Sequence, residues 1–275
     1  MTTQHSKRPA EALSERNSRV VSAVKLHRGP MRRKTGLFLA EGANSVESAL
    51  ETGRVEELFF SLRAAEREHE LVAGAAAQGI RTTLVSDRAA EMLGETVTPP
   101  GLVAVCRVVD VPLREVLDAA PRMLAVPVGI ADPGNAGTLI RVADAVGADG
   151  VVLAGDSVDP HNGKCVRACA GSLFHVPVAR SRDIDATLTS LEEAGIAILA
   201  TTAKGEVDLD EADDILRGPV AWLFGNEAHG LERAVADRAT HRVRIPIHGR
   251  AESLNLAAAA SICLYASARV QHAAR

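Results

Sequence analysis

The sequence predicts an α/β protein of two domains, a smaller α/β domain followed by one built on a mainly parallel sheet. Three observations carry this expectation. Short apolar runs, several of them β-branched, alternate with stretches of helical period along most of the chain. The later runs are apolar throughout, as expected of strands covered on both faces. An interruption marked by Asp110, Pro112 and Pro121 divides a chain of 275 residues, which is long enough for two ordinary domains.

Taken in order, residues 37–40, 57–61 (around Phe59 and Phe60), 82–85 and 102–109 read as strands. Between them, 44–52, 64–78 and 87–93 have helical spacing, with Asp87 as an N-cap and Gly79 as a stop. Residues 1–109 are therefore a basic arm plus an α/β domain, 110–121 a linker, and 122–275 the second domain. In the second domain, 123–130, 151–154, 196–201, 220–224 and 242–247 read as strands. The Ala-rich stretch 253–271 contains no Gly or Pro and should form a helix of about five turns.

The composition is 47% hydrophobic, 24% charged and 3% aromatic, which excludes a disordered chain. No run approaches the ~18 apolar residues of a transmembrane helix. The polar first residues, with Lys7 and Arg8, lack the apolar run of a signal peptide. Four cysteines without a CxxC pair argue against a zinc ribbon or disulfide framework, and the expected compartment is the reducing cytoplasm. The nine histidines lack HxxxH spacing, so no metal site is expected. The net charge of −4 argues against a nucleic-acid partner only until its distribution is read. Residues 1–34 carry nine Lys/Arg against two acids, a net of +7, and the other 241 residues carry 22 against 33, a net of −11. A basic arm on an acidic body suits a polyanion binder, although a solvated N-terminus would look the same. Arg16, Arg19, Lys25, Arg28, Arg32, Arg33 and Lys34 are the candidate contacts to such a polyanion.

Three clusters follow predicted strands. The first, Asp132-Pro133-Gly134-Asn135-Ala136-Gly137 and on to Arg141, opens a helix, with Asn135 expected in the loop and Arg141 near the second turn. Its glycines allow a tight turn and close backbone approach, and a helix N-terminus offers free N–H groups. A structural turn with a surface arginine would read identically. Cluster two, Gly225-Asn226-Glu227 with His229, follows the strand at 220–224, where open α/β sheets place ligands. Asn226 could equally be a helix cap and Glu227 a first-turn acid, with His229 packed at the helix start. The third is Ile245-Pro246-Ile247 followed by Ser253-Leu254-Asn255, where Ser253 is a natural N-cap and Asn255 needs partners.

Asn-x-Gly-x-x-x-Arg (135–141), Gly-Asn-Glu (225–227) and Ile-Pro-Ile with Ser-Leu-Asn (245–255) resemble, in order and spacing, the three motifs of the SpoU/TrmH family. These are S-adenosylmethionine-dependent RNA 2′-O-methyltransferases of the SPOUT class. Asp159-Pro160 and Lys164 to Gly171 resemble a further family stretch, with Cys169 where the family usually has serine. Residues 13–109, including Phe38-Leu39-Ala40-Glu41-Gly42, more loosely resemble the substrate-binding domain of ribosomal-RNA members.

The resemblance implies a trefoil-knotted C-terminal domain, a homodimer formed through it, and S-adenosylmethionine as cofactor. It implies Asn135, Arg141, Glu227, Ser253 and Asn255 as catalytic or substrate-orienting residues. Cofactor contacts would come from Thr201, Thr202 and Ala203, from Phe224, Gly225 and Asn226, and from Ile245, Ile247, Ser253 and Leu254. Arginine suits a bidentate grip on the phosphate beside the target ribose, whereas a guanidinium is a demanding general base. Large-subunit ribosomal RNA is the expected substrate. A transfer-RNA enzyme, a ribosomal-RNA enzyme conferring antibiotic resistance, and a non-catalytic assembly factor are the alternatives. With Phe38, Phe59, Phe60, Phe174, Trp222, Phe224 and Tyr265 mostly inside strand or helix patterns, recognition should depend on phosphates, ribose and RNA shape.

Overall fold

The computed structural model describes residues 12–273, which divide into two compact units at Val108/Val109. Lys7 and Arg8 of the basic arm lie outside the described residues.

In the first unit the chain forms α1 (Ser18–Val24), a 3-10 turn (Lys25–His27) and α2 (Gly29–Thr35) before β1 (Leu37–Glu41). Then come α3 (Ala43–Glu51), β2 (Val55–Phe60), α4 (Leu62–Arg67), α5 (His69–Ala77), β3 (Arg81–Leu84), α6 (Asp87–Leu93) and β4 (Leu102–Arg107). The sheet order is β1-β4-β2-β3, with only β2 and β3 parallel. Three local expectations are corrected. Ser86, not Asp87, caps α6 by accepting from the Ala89 N–H. The stretch 64–78 is two helices broken at Glu68, and nothing in its composition marks the break. The basic segment beyond residue 17 is also no solvated arm, because Val20, Ala23 and Leu26 pack with Leu39, Phe59 and Val103 in the core.

The second unit comprises β5 (Asp110–Val111), α7 (Leu113–Asp118), β6 (Met123–Pro127), α8 (Pro133–Val146), β7 (Gly150–Ala154), α9 (Gly163–Cys169) and β8 (Val178–Ser181). It continues through α10 (Ile184–Glu193), β9 (Ala197–Thr201), β10 (Val207–Asp208), α11 (Asp213–Leu216), β11 (Val220–Phe224), α12 (Arg233–Asp237), β12 (His241–Arg244) and α13 (Leu256–Ala273). Residues 110–121, read as a linker, instead form β5 and α7, because Val111 and Val116 join this unit's apolar core. The eight strands run β10-β12-β9-β11-β6-β7-β8-β5, all pairs parallel. The chain backtracks: β11 enters between β9 and β6, β12 goes to the far side of β9, and α13 returns onto α8, β6 and β11. That connectivity agrees with the knotted topology the resemblance implies.

Two contacts seat the returning helix. The indole Nε1 of fully buried Trp222 donates to Ser267 Oγ at 2.8 Å. Gln271 Nε2, also buried, lies 3.1–3.2 Å from the carbonyls of Arg122, Leu216 and Gly218. Gly137 lets α8 and α9 meet, since a Cβ there would fall on the Cys165 carbonyl and lie 2.6 Å from Ala168 Cβ. All four cysteines are buried and free. Among the described residues, no helix is long and apolar enough to cross a membrane, and no group of three metal-ligating side chains converges.

Candidate active site

Parallel strands deliver their carboxyl ends to one edge of a sheet, and here three adjacent strands, β12, β9 and β11, end on the same cavity. β6 and β11 are neighbours whose connections leave in opposite directions, the switch point at which such sheets open a crevice. The cavity is about 640 Å³. Thr201, Thr202 and Ala203 after β9 form one wall, with the Thr201 hydroxyl donating to Leu223 O and the Thr202 N–H to Val243 O. Phe224, Gly225 and Asn226 after β11 form another, and Ile245 and Ile247 after β12 a third. Ser253 and Leu254, leading into α13, complete it. The ten residues expected to hold the cofactor therefore share one cavity. Leu231, Val243, Glu252 and Leu256 line it too and were missed, although Val243, Ile245 and Ile247 alternate as one face of an extended segment should.

Gly225 is fixed by crowding, since a Cβ there would collide with the backbone of Gly230 and Leu231. The loop it opens closes on itself through paired backbone hydrogen bonds between Asn226 and Gly230. The Asn226 side chain donates to Gly129 O at 2.7 Å and accepts from the Ala228 N–H at 2.9 Å. It thus ties the loop after β11 to the turn after β6 instead of capping a helix. No helix begins at His229, which stands exposed at the cavity rim.

Three residues distant in sequence, Asn135, Glu227 and Asn255, meet at this edge. Asp132 caps α8, accepting from the Asn135 N–H at 2.9 Å, and Pro133 takes the first helical position, where its missing N–H costs nothing. Asn135 is therefore in the first turn of the helix and not in the loop. Its Nδ2 donates to Glu227 Oε1 at 3.1 Å, and its Oδ1 accepts from Asn255 Nδ2 at 3.2 Å. Glu227 also accepts from the Ala131 and Asp132 N–H groups, both at 3.3 Å. Asn255, not Ser253, caps α13, its Oδ1 accepting from the N–H groups of Ala257 and Ala258. Ser253 is left exposed at the cavity.

Partial burial pushes the Glu227 carboxyl up, but the Asn135 amide and the backbone N–H groups of Glu227, Ala131 and Asp132 together outweigh it and hold the group below the ordinary range. Asp132 is held low as well, first by its hydrogen bond from Lys164 Nζ at 2.6 Å and then by the Asn135 N–H.

Arg141 is exposed on α8, outside the cavity lining, and makes no hydrogen bond or ion pair with a described residue. Two candidate RNA contacts are spent internally. Arg32 is 5% exposed and donates to the carbonyls of Leu26 and His27. Arg19 pairs with Glu57 and Thr83 and lies over the Phe59 ring. Arg16, Lys25, Arg28, Arg33 and Lys34 are exposed.

Backtracking sheet and strand-end cavity together place the C-terminal unit in the SPOUT class of RNA methyltransferases. Residues 122–265 match the SpoU rRNA Methylase family and 17–104 an MRM3-like substrate binding domain. The chain is 34% identical to the Bacillus subtilis 23S rRNA (guanosine(2553)-2′-O)-methyltransferase RlmP, over 92% of this chain and 96% of that protein. An AdoMet-bound rRNA methyltransferase from Sinorhizobium meliloti superposes with TM-score 0.82 at 32% identity, over 94% of this chain and 97% of that one. The SpoU methyltransferase AviRb from Streptomyces viridochromogenes, in complex with AdoMet, gives 0.81 at 28% identity, over 94% and 100%. The chain belongs to the SpoU rRNA methylase family and is an RNA methyltransferase.

Proposed function

We propose that this protein transfers the methyl group of S-adenosylmethionine to a ribose 2′-hydroxyl of 23S ribosomal RNA, in the cytoplasm and as a homodimer. The observation that carries the reading is the Asn255–Asn135–Glu227 network at the rim of a cavity suited to a cationic donor. Phe224, Leu231, Val243, Ile245, Ile247 and Leu254 give apolar walls for an adenine ring, and the acids at the cavity are Glu227 and Glu252, with no Lys or Arg to repel a sulfonium. S-adenosylmethionine supplies an electrophilic methyl group, which bonds to the ribose oxygen while the C–S electron pair stays on sulfur and the hydroxyl proton passes to solvent or a nearby base.

Asn135 and Asn255 contribute amides fixed in orientation by one another, by Glu227 and by the α13 backbone. Positioning of this kind can supply most of a methyl-transfer barrier reduction. Glu227 holds Asn135 and the loop before it. Arg141 has no internal partner and takes the phosphate beside the target ribose as a fork. In the N-terminal unit, Arg16, Lys25, Arg28, Arg33 and Lys34 contact RNA phosphates.

The dimer reading rests on α13. Ala258, Ile262 and Tyr265 form an exposed ridge at helical spacing, with Tyr265 66% exposed, and a two-fold interface would cover it. Tyr265→Asp should shift the mass measured by light scattering from dimer to monomer, and an unchanged mass would exclude this ridge. For the activity, the purified protein is incubated with tritiated S-adenosylmethionine and a 23S transcript, and 2′-O-methylation is mapped by resistance to alkaline cleavage. One protected site supports the reading, and a transcript without label defeats it.

A further inference from the structure

Among the described residues, the exposed large apolar side chains sort by place. Ile247 and Leu254 line the cavity, and Ile262 and Tyr265 form the ridge on α13. Of the four in the N-terminal unit, three flank a single connection, residues 94–101 between α6 and β4. Met92 leads into it, Val97 is its fully exposed tip, and Leu62 follows Ser61, against which Gly101 closes. Single exposed apolar residues are ordinary, but several gathered on one element mark a contact surface.

This loop is held in shape. The nearly buried Glu41 carboxylate at the end of β1 accepts from the Glu95 N–H at 3.4 Å and from the Thr96 hydroxyl at 3.2 Å. His27 lies 3.2 Å from the Glu95 carboxylate and 3.3 Å from the Met92 carbonyl, and Arg67 donates to Pro100 O at 2.8 Å. At Gly94 a Cβ would lie 2.7 Å from Glu41 Oε1 and from Pro99 Cβ. Gly101 has φ +72°, and a Cβ there would fall on the Ser61 hydroxyl. Pro99 and Pro100 restrict the backbone further. A surface connection that only had to join α6 to β4 would need none of this bracing.

The surroundings identify the occupant. Lys25 and Arg28, on either side of His27, are exposed and have no acidic partner among the described residues, whereas Arg67 at the loop's other end is engaged by Glu68 and the Pro100 carbonyl. Cations around a fixed apolar tip match RNA with an unpaired base, where phosphates take the charges and the base face takes the apolar tip. A uniform duplex would leave Val97 against sugar and phosphate. The unit also lacks an aromatic to do this work, since Phe38 and Phe59 are buried and Phe60 is half-buried. A loop already fixed loses little entropy on binding.

We propose that residues 94–101 are the element with which the N-terminal unit takes up an unpaired RNA base, Val97 packing on the base while Lys25 and Arg28 hold the neighbouring phosphates. The proposal rests on the RNA-methyltransferase reading above and names the RNA feature that reading leaves open. The test compares the full-length protein with Val97→Asp and Val97→Ile, using filter binding to a protein-free 23S transcript and to a perfect RNA duplex. Val97→Asp should weaken transcript binding at least tenfold and duplex binding less than twofold, while Val97→Ile stays within threefold of wild type. S-adenosylmethionine affinity and Tm should not move. A photoreactive residue at position 97 should crosslink to a nucleotide that is unpaired in the transcript.

Transcript binding by Val97→Asp within twofold of wild type, equal losses on transcript and duplex, or a crosslink inside a helix would each overturn the proposal. In assembling ribosomal particles, a crosslink to a protein in place of RNA would do the same. If wild type methylates the transcript while Val97→Asp binds normally, the loop assignment falls and the activity stands. If wild type methylates no ribosomal RNA, both fall.

Discussion

Replacing Glu227 with glutamine asks whether this carboxylate is a clasp on Asn135 or the acceptor of the ribose proton. The side chain keeps its shape but exchanges one oxygen for an NH₂ group. Oε1 accepts from the Asp132 N–H and from Asn135 Nδ2, and Oε2 from the Ala131 N–H. With its NH₂ in the Oε2 position the amide loses only the bond from the Ala131 N–H, and turned the other way it loses two, so in the better orientation one bond is lost and the others lose charge assistance. A neutral hydrogen bond contributes about 0.5–1.5 kcal/mol and one to a charged group about 1.5–3 kcal/mol, so a dry site would lose about 3 kcal/mol. Glu227 is exposed and its backbone bonds are long at 3.3 Å, so water recovers part of that and about 1–2 kcal/mol remains. Expressed in the transition state, this is about a five- to thirtyfold fall in kcat. Tritium transfer to a 23S transcript measures it, with calorimetry expected to give an S-adenosylmethionine Kd within about threefold of wild type. A loss beyond about 10³-fold would make Glu227 the proton acceptor, since general bases contribute about 10²–10⁴. An unchanged kcat would mean that Asn135 needs no clasp. Either result refutes the reasoning.

Arg141→Ala should abolish methyl transfer while calorimetric binding of S-adenosylmethionine survives, because Arg141 lies outside the cavity; near-normal turnover would remove it from the mechanism. Gly137→Ala forces a Cβ onto the Cys165 carbonyl, and overpacking of about 1–3 kcal/mol should lower Tm by roughly 3–10 °C and slow catalysis through α8. A Tm within 1 °C of wild type would contradict the close approach. The Glu206 carboxyl is pushed down to about 2, first by the Arg242 N–H and then by its guanidinium. A folded value below the unfolded one gives stability that is full above the ordinary carboxylate range and is lost as pH falls towards 2. Glu206→Gln should therefore melt below wild type at pH 7, with the gap closing below about pH 4. Equal gaps at pH 7 and pH 2.5 would show the pair contributes nothing.

Much of the site was legible because its residues sit where strands end, and apolar runs locate strand ends well. Local chemistry placed some residues less well. Asp132-Pro133 is a helix-start signature, yet the adjacent glycines read as loop, so Asn135 was put one turn too early. Ser253 and Asn255 are both good caps, and spacing cannot choose between them; the irregular connection from Ile245 runs two residues past Ser253 before the helix begins. No spacing rule pairs Asn135 with Asn255, 120 residues apart, because that contact depends on β11 and α13 returning through the sheet. Charge counting treated all the basic residues alike, whereas Arg19 and Arg32 are drawn inward by carbonyl and carboxylate partners that sequence does not reveal.

The late insertion of β11 has a consequence for biosynthesis. While residues up to Thr201 emerge from the ribosome, β6 and β9 have each lost a neighbour that has yet to be made, and their unpaired edges are templates for wrong partners. The gap closes only when residues 220–224 arrive, and every wall of the cavity lies at or beyond Thr201. At about 5–20 residues per second, the nascent second unit spends seconds as an open half-sheet without its strand-end cavity. A truncated chain ending before β11 is therefore a hazard for aggregation and a methyltransferase in no degree.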